Sequence, residues 1–270
     1  MALAHHAGFR PRLYEESPWY YPIASALAHF DALDTFPSPE ALTALYAERT
    51  LDLPLPALRF VPAIKQKKPR KKQRPIALDT LYEGRIIARG EVPTRPDDWH
   101  DLFNALAFVT FPRAKRALHA RQYAILQQRV PPGATRLPNA RTREQDALSL
   151  FDEGGIAIAV PPSRLELLRA NDEAGPCAPL VSSEMHVVPF GHALYEHMVA
   201  GLPCPLGTLH YVPVAPATSR TQFLANLDEA LADSVADRDA WQLPSTAKGS
   251  SLGALTPPDE RFCSPHGDAW

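Results

Sequence analysis

The amino-acid sequence predicts an α+β fold, predominantly helical, in a single globular domain with a few short strands. Three observations carry this expectation. Apolar residues recur at helical spacing, most plainly Trp99, Leu102, Phe103, Leu106 and Val109. Capping residues write out helix starts at Ser38, Thr142, Ser163 and Ser219. The strand-like apolar runs are few and short: Ile156 to Val160, Val187 to Phe190, and Leu209 to Val214.

Taken in order, Ile23 to Leu33 reads as a short helix. Ser38-Pro39-Glu40 then sets a serine cap and a proline at the first helical position, and the helix runs to Arg49. From Leu51 to Arg95 prolines punctuate the chain, around an apolar run (Leu58 to Val61), a basic loop, and the segment Leu81 to Ile87. Asp98 to Thr110 is a helix. Pro112 opens the next, Arg113 to Gln128, which ends before Pro131-Pro132-Gly133. Thr142-Arg-Glu-Gln145 forms a capping box for a helix to Phe151, stopped by Gly154-Gly155. Ser163-Arg-Leu-Glu166 opens another helix, to Asn171. Gly191 turns the strand at Val187 to Phe190 into a helix from His192 to Ala200, and Ser219 caps a final helix to Asp237. In domain terms, residues 1–50 form a helical segment packed on a main domain of 51–240, and 241–270 an irregular Pro/Gly/Ser-rich tail.

Composition narrows the function classes. A chain of 270 residues with 45% apolar and 21% charged residues can bury a sizeable core, so wholesale disorder is excluded. Three widely spaced cysteines (Cys177, Cys204, Cys263) suggest neither a disulfide framework nor a zinc finger, and fit a reducing cytoplasm. A soluble protein is expected: the first residues lack the apolar stretch of a signal peptide, and no run is long enough to span a membrane. The 29 prolines are about twice ordinary usage and mark many element boundaries.

Net charge is −2, unevenly spread. Lys65, Lys67, Lys68, Arg70, Lys71, Lys72 and Arg74 place seven cations in the loop 65–75, leaving an acidic body with 21 basic against 30 acidic residues. Such a run can grip phosphates, which makes nucleic acid a candidate partner. No aromatic residue is interleaved for base stacking, so a solvated loop is the alternative. No G-x-S-x-G, G-x-G-x-x-G or Walker sequence is present.

The polar residues that suggest chemistry fall in three places. His100 and Asn104 share one face of the 98–110 helix, beside Asp101. A histidine near a carboxylate can serve as a base or a metal ligand, while Asp101 can equally satisfy the free amides of the helix start. Asp146 and Glu153 are seven apart on the next polar helix, with Asp152 between them. Asp152 and Glu153 stand at a helix C-terminus, where the macrodipole disfavours acids, so they need a cation, an arginine such as Arg141 or Arg143, or water. His192 opens a helix, a position that favours the neutral imidazole able to bind metal or accept a proton. Glu196 lies one turn on, forming H-x-x-x-E but not the H-E-x-x-H of known zinc enzymes.

Four segments together resemble a known family: Trp99-His-Asp-Leu-Phe-Asn-Ala-Leu106, Phe111-Pro-Arg-Ala-Lys115 followed by Gln122, Asp146-Ala-Leu-Ser-Leu-Phe-Asp-Glu153, and Phe190-Gly-His-Ala-Leu-Tyr-Glu196. Over residues 58–214 the chain is similar to a bacterial family described only as domain of unknown function 3025. The resemblance implies no activity and no cofactor.

Three functions stay open from sequence. The first is a metal-assisted or His/Asp-based hydrolase-like enzyme acting on a small molecule, with a divalent metal as its possible cofactor. Its candidate residues are His100, Asp101, Asn104, Asp146, Asp152, Glu153 and His192. The second is a non-catalytic RNA- or phosphate-binding protein using the basic loop. The third is a structural or interaction protein whose polar motifs only cap helices. Convergence of His100, Asn104, Asp152 or Glu153, and His192 on one concavity would separate the first from the third.

Overall fold

The computed structural model describes residues 8–63, 74–165, 185–202, 206–237, 241 and 250–251. The elements in order are α1 (Ala24–Ala28), α2 (Pro39–Arg49), β1 (Arg59–Pro62), α3 (Tyr82–Arg89), β2 (Glu91–Thr94), α4 (Trp99–Thr110), α5 (Pro112–Arg129), α6 (Arg143–Gly154), β3 (Gly155–Val160), β4 (His186–Pro189), α7 (His192–Val199), β5 (Leu206–Pro213), α8 (Arg220–Ala236) and β6 (Ser250–Ser251). Helix outweighs strand, as the composition of elements predicts. Most of the basic loop, most of the helix expected from Ser163, and most of the tail lie outside the described residues. No helix among the described residues is long and apolar enough to cross a membrane.

The caps act as their sequences require. Ser38 Oγ accepts from Ala41 N, Asp98 from Asp101 N, and Ser219 from Gln222 N. Thr142 and Gln145 close a full capping box. Two helices depart from expectation. α1 spans only Ala24–Ala28. α6 continues through Asp152 and Glu153 to Gly154 and runs directly into β3. Glycine therefore permits a helix to pass straight into a strand here, rather than ending it three residues earlier.

β3 is the centre of a four-stranded sheet of order β4-β3-β5-β6. It pairs antiparallel with β4 and parallel with β5. Every residue of β3 is buried, as expected of a strand covered on both faces. Ala157 and Ala159 turn to the side packed by α5, α6 and α8, where small side chains allow close approach. Ile156, Ile158 and Val160 turn the other way, toward Leu194 of α7. A second core lies around α4, into which the N-terminal segment contributes Leu13, Tyr20, Ile23, Leu27, Leu42 and Leu45. α4 is almost wholly buried, packing on α2, α5 and α7. The helix α4 thus joins the two halves, and its first turn meets the ends of α6 and α7.

Candidate functional site

His100 stands in the first turn of α4, Glu153 in the last turn of α6, and His192 at the first position of α7. The three converge. His192 Nε2 is 3.1 Å from His100 Nε2, and Glu153 Oε2 lies 3.5 Å from the former and 3.9 Å from the latter. One donor atom from each fits within a 4.8 Å cluster. The side chain of His192 is 3% exposed, His100 26% and Glu153 52%, so the cluster is closed behind and open on the glutamate side.

Gly191 makes the convergence possible. A Cβ there would fall 2.4–2.5 Å from Gly155 N, Glu153 O and Gly154 N. Only glycine lets the backbone before His192 lie directly on the backbone of Glu153. Phe190 N and Gly191 N both donate to Gly155 O at 2.9 Å, fastening the two segments together.

The far nitrogens of the two rings differ in their surroundings. His100 Nδ1 lies 2.8 Å from Glu196 Oε2. An Nδ1–H donated to that carboxylate turns the Nε2 edge of the ring toward His192 and Glu153. His192 Nδ1 is buried without a hydrogen-bond partner. Burial and the Lys115 cation hold His192 well below its ordinary pKa, so its imidazole is neutral. The two imidazoles thus face each other through their Nε2 atoms at hydrogen-bond distance, beside the Glu153 carboxyl. Partial burial pushes the Glu153 carboxyl above the usual carboxylate range, against the pull of His100.

Behind this cluster is a second polar assembly. Lys115 of α5 is fully buried and ion-paired with Asp152 Oδ1. Its ammonium also donates to Asn104 Oδ1 at 2.8 Å and sits 4.8 Å from the centre of the Phe108 ring. Asn104 Nδ2 donates in turn to Tyr82 Oη at 2.8 Å. Burial pushes Asp152 upward, yet the adjacent Lys115 ammonium holds its carboxyl well below the usual range. His119 stacks on Phe108, 4.0 Å from Asp152 Oδ2, with both ring nitrogens buried and unbonded. Burial lowers its pKa to about 4.

The seven candidates thus separate. His100, Glu153 and His192 form one cluster. Asp152 and Asn104 belong to the assembly around Lys115. Asp101 is bound by Arg95 through its side chain and backbone amide, at the start of α4. Asp146 is exposed in the first turn of α6 and lies outside the His100–Glu153–His192 cluster. The partner of Asp152 is neither Arg141, which bonds Ser149, nor Arg143, but Lys115. Glu196 does not join His192 in one ligand pair and instead supports His100. Lys115 and His119 were absent from the sequence-derived candidates. A signal was present: Lys115, Leu118, His119, Gln122 and Ile125 repeat at helical spacing and lie on the buried stripe of α5. Of the basic loop, only Arg74 falls among the described residues.

The pattern of one protein family matches residues 70–247, from α3 through α8 and both polar assemblies. The chain belongs to that family, described as protein of unknown function (DUF3025). The family match includes all seven candidate site residues, together with Lys115, His119 and Glu196. No curated protein and no solved structure matches the chain.

Proposed function

We propose that the protein is a metal-assisted, hydrolase-like enzyme acting on a small molecule, with a divalent ion held by His100, His192 and Glu153. The supporting observation is the mutual spacing of their donor atoms, 3.1, 3.5 and 3.9 Å. Ligands about 2.0–2.1 Å from a tetrahedral ion stand roughly 3.4 Å from one another, so these distances suit one ion with little adjustment. Two histidines and a carboxylate are a set used by catalytic zinc, and they leave a fourth position open. Its opening is toward solvent, beside the half-exposed Glu153. A bound ion would supply a water acidified to near-neutral pKa. The chain's own contributions are separate. Glu196 orients the ring of His100, and the buried wall behind His192 excludes bulk water on that side.

A second reading, His100 as a metal-free base oriented by Glu196, has the 2.8 Å Nδ1–Oε2 bond in its favour. Its hallmark would be activity indifferent to chelation. We place the protein in a bacterial cytoplasm, on the family resemblance and on cysteine usage suited to a reducing compartment.

The test is metal analysis of purified, chelator-stripped protein titrated with Zn²⁺, Mn²⁺, Co²⁺ or Fe²⁺. One ion per chain is expected, with a raised thermal midpoint, and both effects should vanish in His100→Ala and His192→Ala. A thermal midpoint unmoved by every ion would overturn the metal reading.

A further inference from the structure

We infer that the buried Lys115–Asp152 pair is a positioning device for the three proposed metal ligands. The inference rests on the metal reading above. Lys115 contacts residues close to two of the three ligands, Asn104 near His100 and Asp152 beside Glu153. Asn104 is one helical turn beyond His100 on the same face of α4, and its Oδ1 accepts from Lys115 at 2.8 Å. Asp152 is the residue before Glu153, and it is ion-paired with Lys115. The segment leading into His192 rests on the end of α6, where Phe190 N and Gly191 N donate to Gly155 O at 2.9 Å. One ammonium on α5 therefore ties the ligand-bearing parts of α4 and α6 together, and the start of α7 is fastened to the end of α6.

Stability does not account for this pair. A fully buried ion pair carries a desolvation cost that well-packed apolar side chains of like volume avoid, and such replacements are often neutral or stabilising. Asp152 also stands in the last turn of α6, where the helix carbonyls repel it. What the pair supplies that apolar side chains cannot is direction. An ammonium with two defined acceptors fixes the approach of three helices, as outer-shell partners do at metal sites.

The experiment uses the double variant Lys115→Met with Asp152→Asn, which removes both charges at about constant volume. Three quantities are compared with wild type in the full chain: the thermal midpoint of the ion-free protein, Zn²⁺ affinity by competition with a chromophoric chelator, and the visible d–d spectrum of the Co²⁺ form. Expected are a retained or raised ion-free midpoint, Zn²⁺ affinity lower by about 10–100-fold, and an altered Co²⁺ spectrum. Wild-type affinity and spectrum in the double variant would overturn the inference while leaving the metal site standing. A lowered midpoint with unchanged affinity would also overturn it, by assigning the pair a structural role. Wild-type protein that takes up no ion would overturn the site itself, and the inference with it. Should the double variant fail to fold, Asn104→Ala serves instead, since it severs the link to α4 and keeps the ion pair. It should weaken Zn²⁺ binding and shift the Co²⁺ spectrum, and unchanged values for both would overturn the inference.

Discussion

Two of the buried aspartates among the described residues, Asp228 and Asp152, meet helix ends in opposite ways. Asp228 of α8 faces the start of α5, where Phe111 provides no side-chain cap. Its oxygens accept from Arg113 N at 3.1 Å and Ala114 N at 2.8 Å, so one helix caps another. Asp152 sits at the end of α6, where exposed carbonyls disfavour a negative charge. Burial pushes Asp228 up to about 7 despite its two amide partners and Arg113. Asp152 is instead held low, because Lys115 contacts it directly. A single apposed ammonium thus outweighs what a favourable helix end offers. The first aspartate completes a helix that lacks a cap. The second occupies a site that the helix opposes, which is a reason to look for a role beyond stability.

The sharpest break of this comparison is removal of one partner from each. Lys115→Met alone leaves Asp152 buried and unpaired, and should cost ~3–5 kcal/mol in urea denaturation. Asp228→Ala should cost only ~1–2 kcal/mol, the range for a lost helix cap. Equal losses would mean that both aspartates do the same work.

Gly191→Ala comes next. Its Cβ would meet the Glu153–Gly155 backbone at 2.4–2.5 Å, and backbone atoms cannot swing aside as a side chain can. A loss of ~3 kcal/mol is expected, together with loss of Zn²⁺ uptake in calorimetric titration. Normal uptake would show that the two segments do not need their close contact.

Smaller effects appear in the pH dependence, with opposite signs. The folded pKa of Asp228, about 7, is raised above the ordinary carboxylate value. Its contribution to stability is full below pH ~4 and declines as pH rises toward 7, by up to ~1.4 kcal/mol per pH unit. His119 is lowered to about 4, so the unfolded chain takes up its proton first on acidification. Its contribution is full above pH ~6.5 and declines as pH falls toward 4. The two slopes oppose each other in the wild type. Asp228→Asn should make stability rise more steeply between pH 4 and 7, and His119→Phe should make it fall. The check is chemical denaturation of each variant against wild type at several pH values, so that other groups cancel. Identical pH profiles would place both groups in ordinary environments.

The smallest change expected is that of His119→Phe at pH 7. Both ring nitrogens are buried without partners, so replacement by an apolar ring removes two unmet polar atoms. A change within ~1 kcal/mol is expected in thermal denaturation. A large loss would show that His119 has a partner that a phenyl ring cannot replace.

Much of the fold was legible because its signals are local. Ser38, Asp98, Thr142 and Ser219 cap helices through atoms two or three residues away, so sequence alone specifies them. The apolar run of β3 identifies a strand covered on both faces. β2 was not legible, since Pro93 interrupts its pattern and only pairing with β1 makes it a strand. The length of α6 was not legible either, because Gly154-Gly155 reads as a stop and becomes a passage into β3 only when β4 and β5 lie beside it.

The site divides in the same way. Sequence alone singled out His100, Glu153 and His192, though among four other polar residues, because histidines and acids at helix ends are uncommon enough to notice. It could not separate Glu153 from Asp152. They are adjacent, alike in charge and in the same helical turn, yet one faces the two histidines and the other faces Lys115. Nor could it join His100 to Glu196, 96 positions apart, or mark Lys115 as buried rather than solvated. Local rules act over a few residues through backbone hydrogen bonds and side-chain period. Which side chains share a cavity is decided by how α4, α5, α6 and α7 pack, and that depends on the whole core at once.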